Sequence, residues 1–552
     1  MRYLVMKKKL WLLVILFLGF PCIPSHAAEN EPTNSNPEAV QQQSVENKDY
    51  FRLEKELQEK KKQEENNVTD QTAKQEPATP HATAQIFVTK IVTEPSAILS
   101  VIEITAITGK YEGRPVDIQD LYRALKEIND LYAQKGFITA KAILPPQKIE
   151  DGIVRIKLVE AHYGQLTLEG NAHTRDSYIL KRVSEHNGEL VNIKTLEEEI
   201  FYFNRTNDVQ IKAELKPGKE FGLTDCVLKV AEPDNIQGTL FSDNGGGSNT
   251  GKYRLGFSWM DNSLTGNRDY LAVNPLWSEG TWAGSISYNL PINGKGARLG
   301  FSYSDNQSSV ISGPYDSLDI QSDESDTGLS LSYPIRVKPN FKFDGFASLY
   351  NKKAQTDFSD KTLVAYHVNT VSLGLAVQNI DRAGFWYHRY DLTYGDSGIS
   401  ASFYKLNLTA VRQQMLPKDQ LMIYRLTGQL TNNHLLPSTE QLSIGGMTTV
   451  RGYNTGALSG DKGYNLSIEY NFPIRSLNNT KGFCFLDHGG TFPYKGNGKG
   501  TNGEDYLTSI GMGANFGYTK YLSGKLVLGV PIDPPEDQDG VKIEFYLQSV
   551  LF

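Results

Sequence analysis

The sequence predicts a transmembrane β-barrel of about sixteen antiparallel strands, preceded by two small α+β domains and an N-terminal helix. Three observations lead there. Over residues 235–552, segments of about ten residues alternate between apolar and polar positions and are separated by turns, the pattern of outer-membrane barrels. The connections between them alternate in length, short on one side and long on the other. After the first 27 residues, no segment approaches the ~18 uninterrupted apolar residues of a helical span.

Residues 1–27 read as a secretory signal. Lys7, Lys8 and Lys9 form the basic start, residues 10–20 the apolar run, and Ser25-His26-Ala27 a small-x-small cleavage site. Cys22 raises a lipoprotein alternative, but Phe20-Pro21 is the wrong context for lipidation. The chain carries a net charge of −7, and removing the signal's four positive charges leaves −11. That balance argues against a nucleic-acid partner, which selects for a basic stripe. Cys226 and Cys484 remain in different predicted domains and read as two buried thiols, not as a disulfide or a metal motif.

Residues 28–83 are rich in Glu, Gln, Asn, Lys, Pro and Thr and cannot bury a core alone. Within them, residues 47–65 set Tyr50, Phe51, Leu53 and Leu57 among charges, as an amphipathic helix would. A solvated linker helix fits these residues as well. Residues 66–81 are a linker by composition.

Residues 84–161 form the first α+β domain. A strand is expected over residues 86–91. Asp117 can cap a helix that repeats Leu121, Leu125, Ile128 and Leu131 at helical spacing and closes at Gly136. Residues 137–144 and 152–160 alternate as strands around Pro145-Pro146 and Asp151-Gly152. The theme repeats over residues 162–234. There, Leu166 and Leu168 mark a strand, and Asn192 caps a helix carrying Leu196, Ile200 and Phe203. Residues 209–215 and 224–230 alternate as strands. Small sheets of this kind offer edge strands with unpaired backbone groups.

In the barrel, alternation is clearest over residues 252–260, 283–290, 297–304, 328–333, 371–377, 404–411 and 421–430. Trp259, Trp277, Trp282, Trp386 and Tyr387 fall toward strand ends, as an interfacial belt requires. Residues 291–296 and 417–419 read as short turns. Residues 306–326, 351–367, 441–463 and 492–504 read as long loops. A soluble all-β domain is the alternative for this half.

The loop over residues 441–463 contains Val450-Arg451-Gly452-Tyr453 and is glycine-rich on both sides. Further on, Phe485-Leu486-Asp487-His488-Gly489 puts a carboxylate inside an apolar strand. An unpaired buried charge is costly. An arginine folded back into the lumen would relieve that cost with a bidentate pair. Arg451 is expected to pair with Asp487, Tyr453 to pack on the barrel wall, and Gly452 to allow the tight turn.

These two motifs resemble the signatures of the superfamily whose outer-membrane barrels carry periplasmic POTRA domains. Within it the chain resembles the TpsB transporters of two-partner secretion. Residues 136–142 with Leu144-Pro145-Pro146-Gln147 resemble the first POTRA domain of that family, and residues 217–225 the turn of the second. Ala161 departs from a common glycine, which is expected to alter a turn only. The resemblance implies an inward-folded loop over residues 441–463 and a lumen-plugging role for residues 47–65. It implies an assembly signal ending on Phe552. It also implies a secreted TpsA-type exoprotein as partner, held through its N-terminal secretion domain. Outer-membrane lipid and lipopolysaccharide surround such a barrel, the barrel-assembly machinery inserts it, and it acts as a monomer. No cofactor and no enzymatic activity are implied. An insertase of the same superfamily and a passive channel are the rival readings.

Two strings suggest chemistry without its context. Gly395-Asp396-Ser397-Gly398 matches a serine nucleophile string but has no His and Asp arranged to serve it. Gly496-Asn497-Gly498-Lys499-Gly500-Thr501 resembles a phosphate loop but lacks the Gly-Lys-Ser/Thr ending.

Overall fold

The computed structural model describes residues 67–71, 85–183, 188–359, 361–398, 402–432, 435–477, 479–492, 505–519, 521–532, 534, 538 and 540–552. Tyr50, Phe51, Leu53 and Leu57 of the expected plug helix lie outside the described residues, as do the signal segment and most of the loop before residue 505.

The first α+β unit contains β2 (Ile86–Val88), β3 (Lys90–Thr93), α1 (Val101–Thr108), β4 (Arg114–Val116), α2 (Ile118–Gln134), β5 (Lys141–Ile143) and β6 (Ile153–Val159). Asp117 caps α2 and its carboxylate accepts from Asp120 N at 2.7 Å. Leu121, Leu125 and Ile128 turn into the core with Val88, Val154 and Ile156. Helix α1 shows no single apolar stripe in the sequence, since Val101 and Ile102 stay exposed while Ile104 and Ile107 enter the core. A reciprocal cap between Ser100 and Glu103 starts it instead. The strand expected over residues 137–144 is only three residues long, because residues 137–140 turn back so that Ala140 N reaches Phe137 O at 3.0 Å.

The second unit contains β7 (His162–Glu169), α3 (Asp176–Leu180), α4 (Ile193–Thr206), β8 (Gln210–Pro217) and β9 (Leu223–Ala231). Asn192 caps α4, and Leu196, Ile200 and Phe203 face the sheet. Its sheet takes in a strand from far upstream. Segment β1 (Val68–Asp70), in the stretch expected to be plain linker, pairs parallel to β8, and Val68 enters the core of this unit. The sheet order is therefore β1-β8-β9-β7.

The rest is a closed antiparallel barrel of sixteen strands. Its first half is β10 (Ile236–Asp243), β11 (Arg254–Asp261), β12 (Tyr270–Trp277), β13 (Thr281–Pro291), β14 (Arg298–Ser309), β15 (Ile320–Lys338), β16 (Phe341–Phe358) and β17 (Lys361–Asp381). Strands β18 (Gly384–Asp396), β19 (Phe403–Leu416) and β20 (Gln420–Thr431) follow. After the inward loop, with its own hairpin of β21 (Leu442–Ile444) and β22 (Leu458–Gly460), come β23 (Lys462–Pro473) and β24 (Thr480–Phe492). Strands β25 (Asp505–Gly517), β26 (Leu522–Pro531) and β27 (Lys542–Val550) complete the wall, and β27 pairs with β10.

Two expected loops are instead strand. Residues 351–358 and 361–367 belong to β16 and β17, whose connection is residues 359–360 alone, and β14 and β15 shorten the preceding loop to 310–319. Strands β15, β16 and β17 have 19, 18 and 21 residues. A membrane crossing needs only ~9–11, so their outer halves stand clear of the bilayer. Lys418 and Asp419 both have positive φ, 64° and 59°, in the tight three-residue turn 417–419 between β19 and β20. Trp277 and Trp282 face each other across β12 and β13 and are exposed on the outer wall. Cys226 is buried, but Cys484 is exposed on the outer face of β24, because its neighbours Phe483 and Phe485 take the inward positions.

The second α+β unit docks on the short turns at one end of the barrel, those joining β11 to β12 and β13 to β14. Arg268, in the turn between β11 and β12, is 2% exposed and grips Asp208 with Nε and Nη2. Arg175 N donates to Gly266 O at 2.8 Å, and Ser263 Oγ to His173 O at 2.8 Å. At the next turn, Arg182 Nη2 donates to Asn293 O at 2.8 Å and Tyr202 OH to Lys295 O at 3.0 Å.

Candidate functional site: the inward loop and its buried lock

The loop after β20 enters the lumen as the β21–β22 hairpin, and its tip carries Arg451. Strand alternation supplies the partners. On β24 the inward positions are Phe483, Phe485 and Asp487, while Cys484 and Leu486 face out. On β23 the inward positions include Ser467 and Glu469. Arg451 Nε and Nη2 donate to Asp487 Oδ2 and Oδ1 at 2.8 and 2.9 Å, a bidentate pair. Arg451 N also donates to Oδ2 at 3.1 Å. The remaining nitrogen, Nη1, donates to Glu469 Oε2 at 2.5 Å, and Nη2 reaches Ser467 Oγ at 3.2 Å. Arg451 is 3% exposed and Asp487 0%. Two carboxylates therefore surround one guanidinium, and Phe485 lies under it at 3.6 Å from ring centre to Cζ.

The rest of the tip is fixed by shape. Val450 and Tyr453 are fully buried with Ile444 and Leu507. Tyr453 OH donates to Thr508 O on β25 at 3.0 Å. Gly452 has φ +92° and backs onto Gly529 of β26. A Cβ on Gly529 would stand 2.6 Å from Gly452 Cα. Gly489 leaves room for Ile444 and Val450 in the same way. Lys542 Nζ donates to Tyr453 O at 2.8 Å and Gln538 Nε2 to Gly452 O at 2.7 Å. Thr455 Oγ1 donates to Gly245 O at 2.9 Å. The tip thus touches β23 to β27 and the residues just after β10.

The structure brings Val450, Arg451, Gly452, Tyr453, Phe485, Asp487 and Gly489 together. Phe552 stands apart, at the seam that closes the barrel. Its carbonyl accepts from Gly238 N at 3.0 Å, and its ring lies over Gly238. Glu469, Ser467 and Gly529 were not singled out by sequence. On a lumen-facing strand a polar residue at every second position is ordinary, and nothing marks the one that meets a charge.

The described residues thus form a closed barrel, two α+β units before it, and an arginine held inside the lumen. Residues 222–516 match the family described as haemolysin secretion/activation protein ShlB/FhaC/HecB. The chain belongs to that family. Residues 86–161 match the ShlB-type POTRA domain. The heme/hemopexin transporter protein HuxB of Haemophilus influenzae strain 86-028NP is 25% identical over 475 residues, 81% of this chain and 83% of that protein. The outer membrane transporter CdiB of Dickeya dadantii is 24% identical over 474 residues, 80% of this chain and 82% of that protein. The structure of CdiB from Escherichia coli shares the fold, with a TM-score of 0.63 at 20% identity, covering 96% of this chain and all of that one. This transporter is therefore an outer-membrane protein of the two-partner secretion type, with its POTRA region in the periplasm.

Proposed function

We propose that this transporter takes one large exoprotein, unfolded, from the periplasm to the cell surface. The POTRA pair captures the N-terminal secretion domain of the client by adding its extended chain to a sheet edge, where main-chain hydrogen bonds demand little of the sequence. The barrel conducts the chain outward. Residues 47–65 act as the plug that leaves the lumen, and the loop carrying Arg451 shifts to widen the path. Folding of a repetitive client outside disfavours its return. The transporter works as a monomer in lipopolysaccharide-bearing membrane, inserted by the assembly machinery that reads Phe552. The observation that carries this reading is the buried lock of Arg451 on Asp487 and Glu469, which holds a long loop inside an otherwise closed cylinder. Depletion of the protein tests it. Loss of one large protein from the secretome supports it. Loss of many barrels from the outer membrane would mark an insertase instead.

A further inference from the structure

A second buried ion cluster lies on the same loop, away from Arg451. Before β21 the chain makes a short turn, Ser438–Glu440, and Glu440 is 2% exposed. Its carboxylate lies between two lysines from the wall, with Lys352 Nζ on β16 at 3.0 Å and Lys405 Nζ on β19 at 2.5 Å. Neutral contacts reinforce the spot. Tyr366 OH on β17 is 2.6 Å from Ser438 Oγ. Leu436 packs with Tyr366, Val368 and Phe403. Gln429 Nε2 donates to Glu440 O and Asp461 O at 2.9 and 3.0 Å, tying the two legs of the loop where they enter. Asp461 in turn accepts from Leu436 N at 2.9 Å.

The position of this cluster is distinct. Lys405 is two residues into β19 and Tyr366 five into β17, both at the ends opposite the periplasmic turns. The cluster therefore sits at the outer rim, where β15 to β17 rise beyond the membrane. Among the described residues, the Arg451 tip meets β23 to β27 and the residues just after β10. The two clusters hold one loop to opposite arcs of the wall.

We infer that Glu440 is a positioning residue for transport: it clamps the loop to the outer rim through Lys352 and Lys405 and sets the width of the mouth, while Arg451 sets the depth of the tip. A carboxylate shared by two buried ammonium groups suits a catch. Removing its charge leaves two lysines facing each other, so the closed arrangement loses attraction and gains repulsion in one change. Lys352 has another acid to turn to, because Asp326 stands directly opposite it on β15. The inference rests on the conduit reading, but its test needs no client and can fail separately.

Full-length protein is reconstituted in planar bilayers and its single-channel record compared with that of Glu440→Gln. The open-to-closed ratio is expected to rise about tenfold or more, since one partner of a buried cluster is gone. In intact cells, trypsin should still fail to cut after Arg451 in Glu440→Gln, and should cut there in Asp487→Asn. Glu440→Lys with Lys405→Glu restores an opposed pair while Lys352 turns to Asp326, and should bring the ratio back toward wild type. A folded Glu440→Gln barrel with an unchanged record would overturn the clamp, and so would cleavage after Arg451 in that variant. Failure of the swapped pair to recover would overturn the ion pairing. If Glu440→Gln gives no folded barrel, Lys352→Met with Lys405→Met and Glu440→Leu removes all three charges together. A folded triple variant with a wild-type record then refutes the idea, and a raised open fraction sustains it.

Discussion

Replacing Arg451 with alanine should undock the loop tip while leaving the barrel standing. The side chain makes four hydrogen bonds, three to carboxylates, and its loss strips Asp487 of its bidentate partner and leaves Glu469 with the charges of Lys525 and Arg425 nearby. Breaking a buried pair by removing one partner costs about 3–5 kcal/mol. At tenfold per 1.4 kcal/mol, that shifts the docked-to-undocked ratio by roughly 10²–10⁴. The barrel wall loses no strand pairing, so the protein should still run as a compact, heat-modifiable species. The assay is secretion of the partner alongside that mobility shift. The expected result is secretion lost with the barrel intact. Secretion at the wild-type level would refute the lock's role. The structure also sharpens the reciprocal test. Exchanging Arg451 and Asp487 alone takes away the guanidinium that now meets Glu469 Oε2 at 2.5 Å and puts a second carboxylate on the same loop tip. Recovery is therefore expected to be weak in the exchange alone and stronger when Glu469→Gln is added.

Three other outcomes follow from the packing. Gly529→Val should displace the tip with every charge intact, because its Cβ would collide with Gly452, and should copy the Arg451→Ala phenotype in the same secretion assay. Asp208→Ala should loosen the second POTRA unit from the barrel turns by about 1–3 kcal/mol, since solvent screens the half-exposed Asp208 but Arg268 is left buried without its carboxylate. Faster proteolytic nicking between the units would show it. Burial pushes the Cys226 thiol up to about 12, so maleimide should label it only once the second POTRA unit unfolds, whereas Cys484 should label in detergent without unfolding.

The lock was legible because two local oddities pointed at each other: an arginine in a glycine-rich loop and a carboxylate in an apolar strand. Its outer partners were not. Ser467 and Glu469 sit at ordinary lumen positions, and Gly529 is one glycine among many on the strands. The outer halves of β15 to β17 read as loops for a physical reason. Above the lipid, the outward face has no hydrocarbon to meet, so apolar alternation fades while the backbone pairing continues. Helices α2 and α4 were clear from capping and spacing. Helix α1 was not, because β-branched residues such as Val101, Ile102 and Thr105 carry strand preference that the Ser100 cap overrides.

The strand β1 has a consequence for the order in which the chain is assembled. Val68 pairs with Ala213, and the whole first POTRA unit lies between them in sequence. Closing so distant a contact is entropically late. Residues made early must therefore wait, unpaired, until the second unit has formed the edge that receives them. A fragment beginning at residue 85, the natural place to cut by composition, would leave the second sheet one strand short, with its margin open to neighbouring molecules.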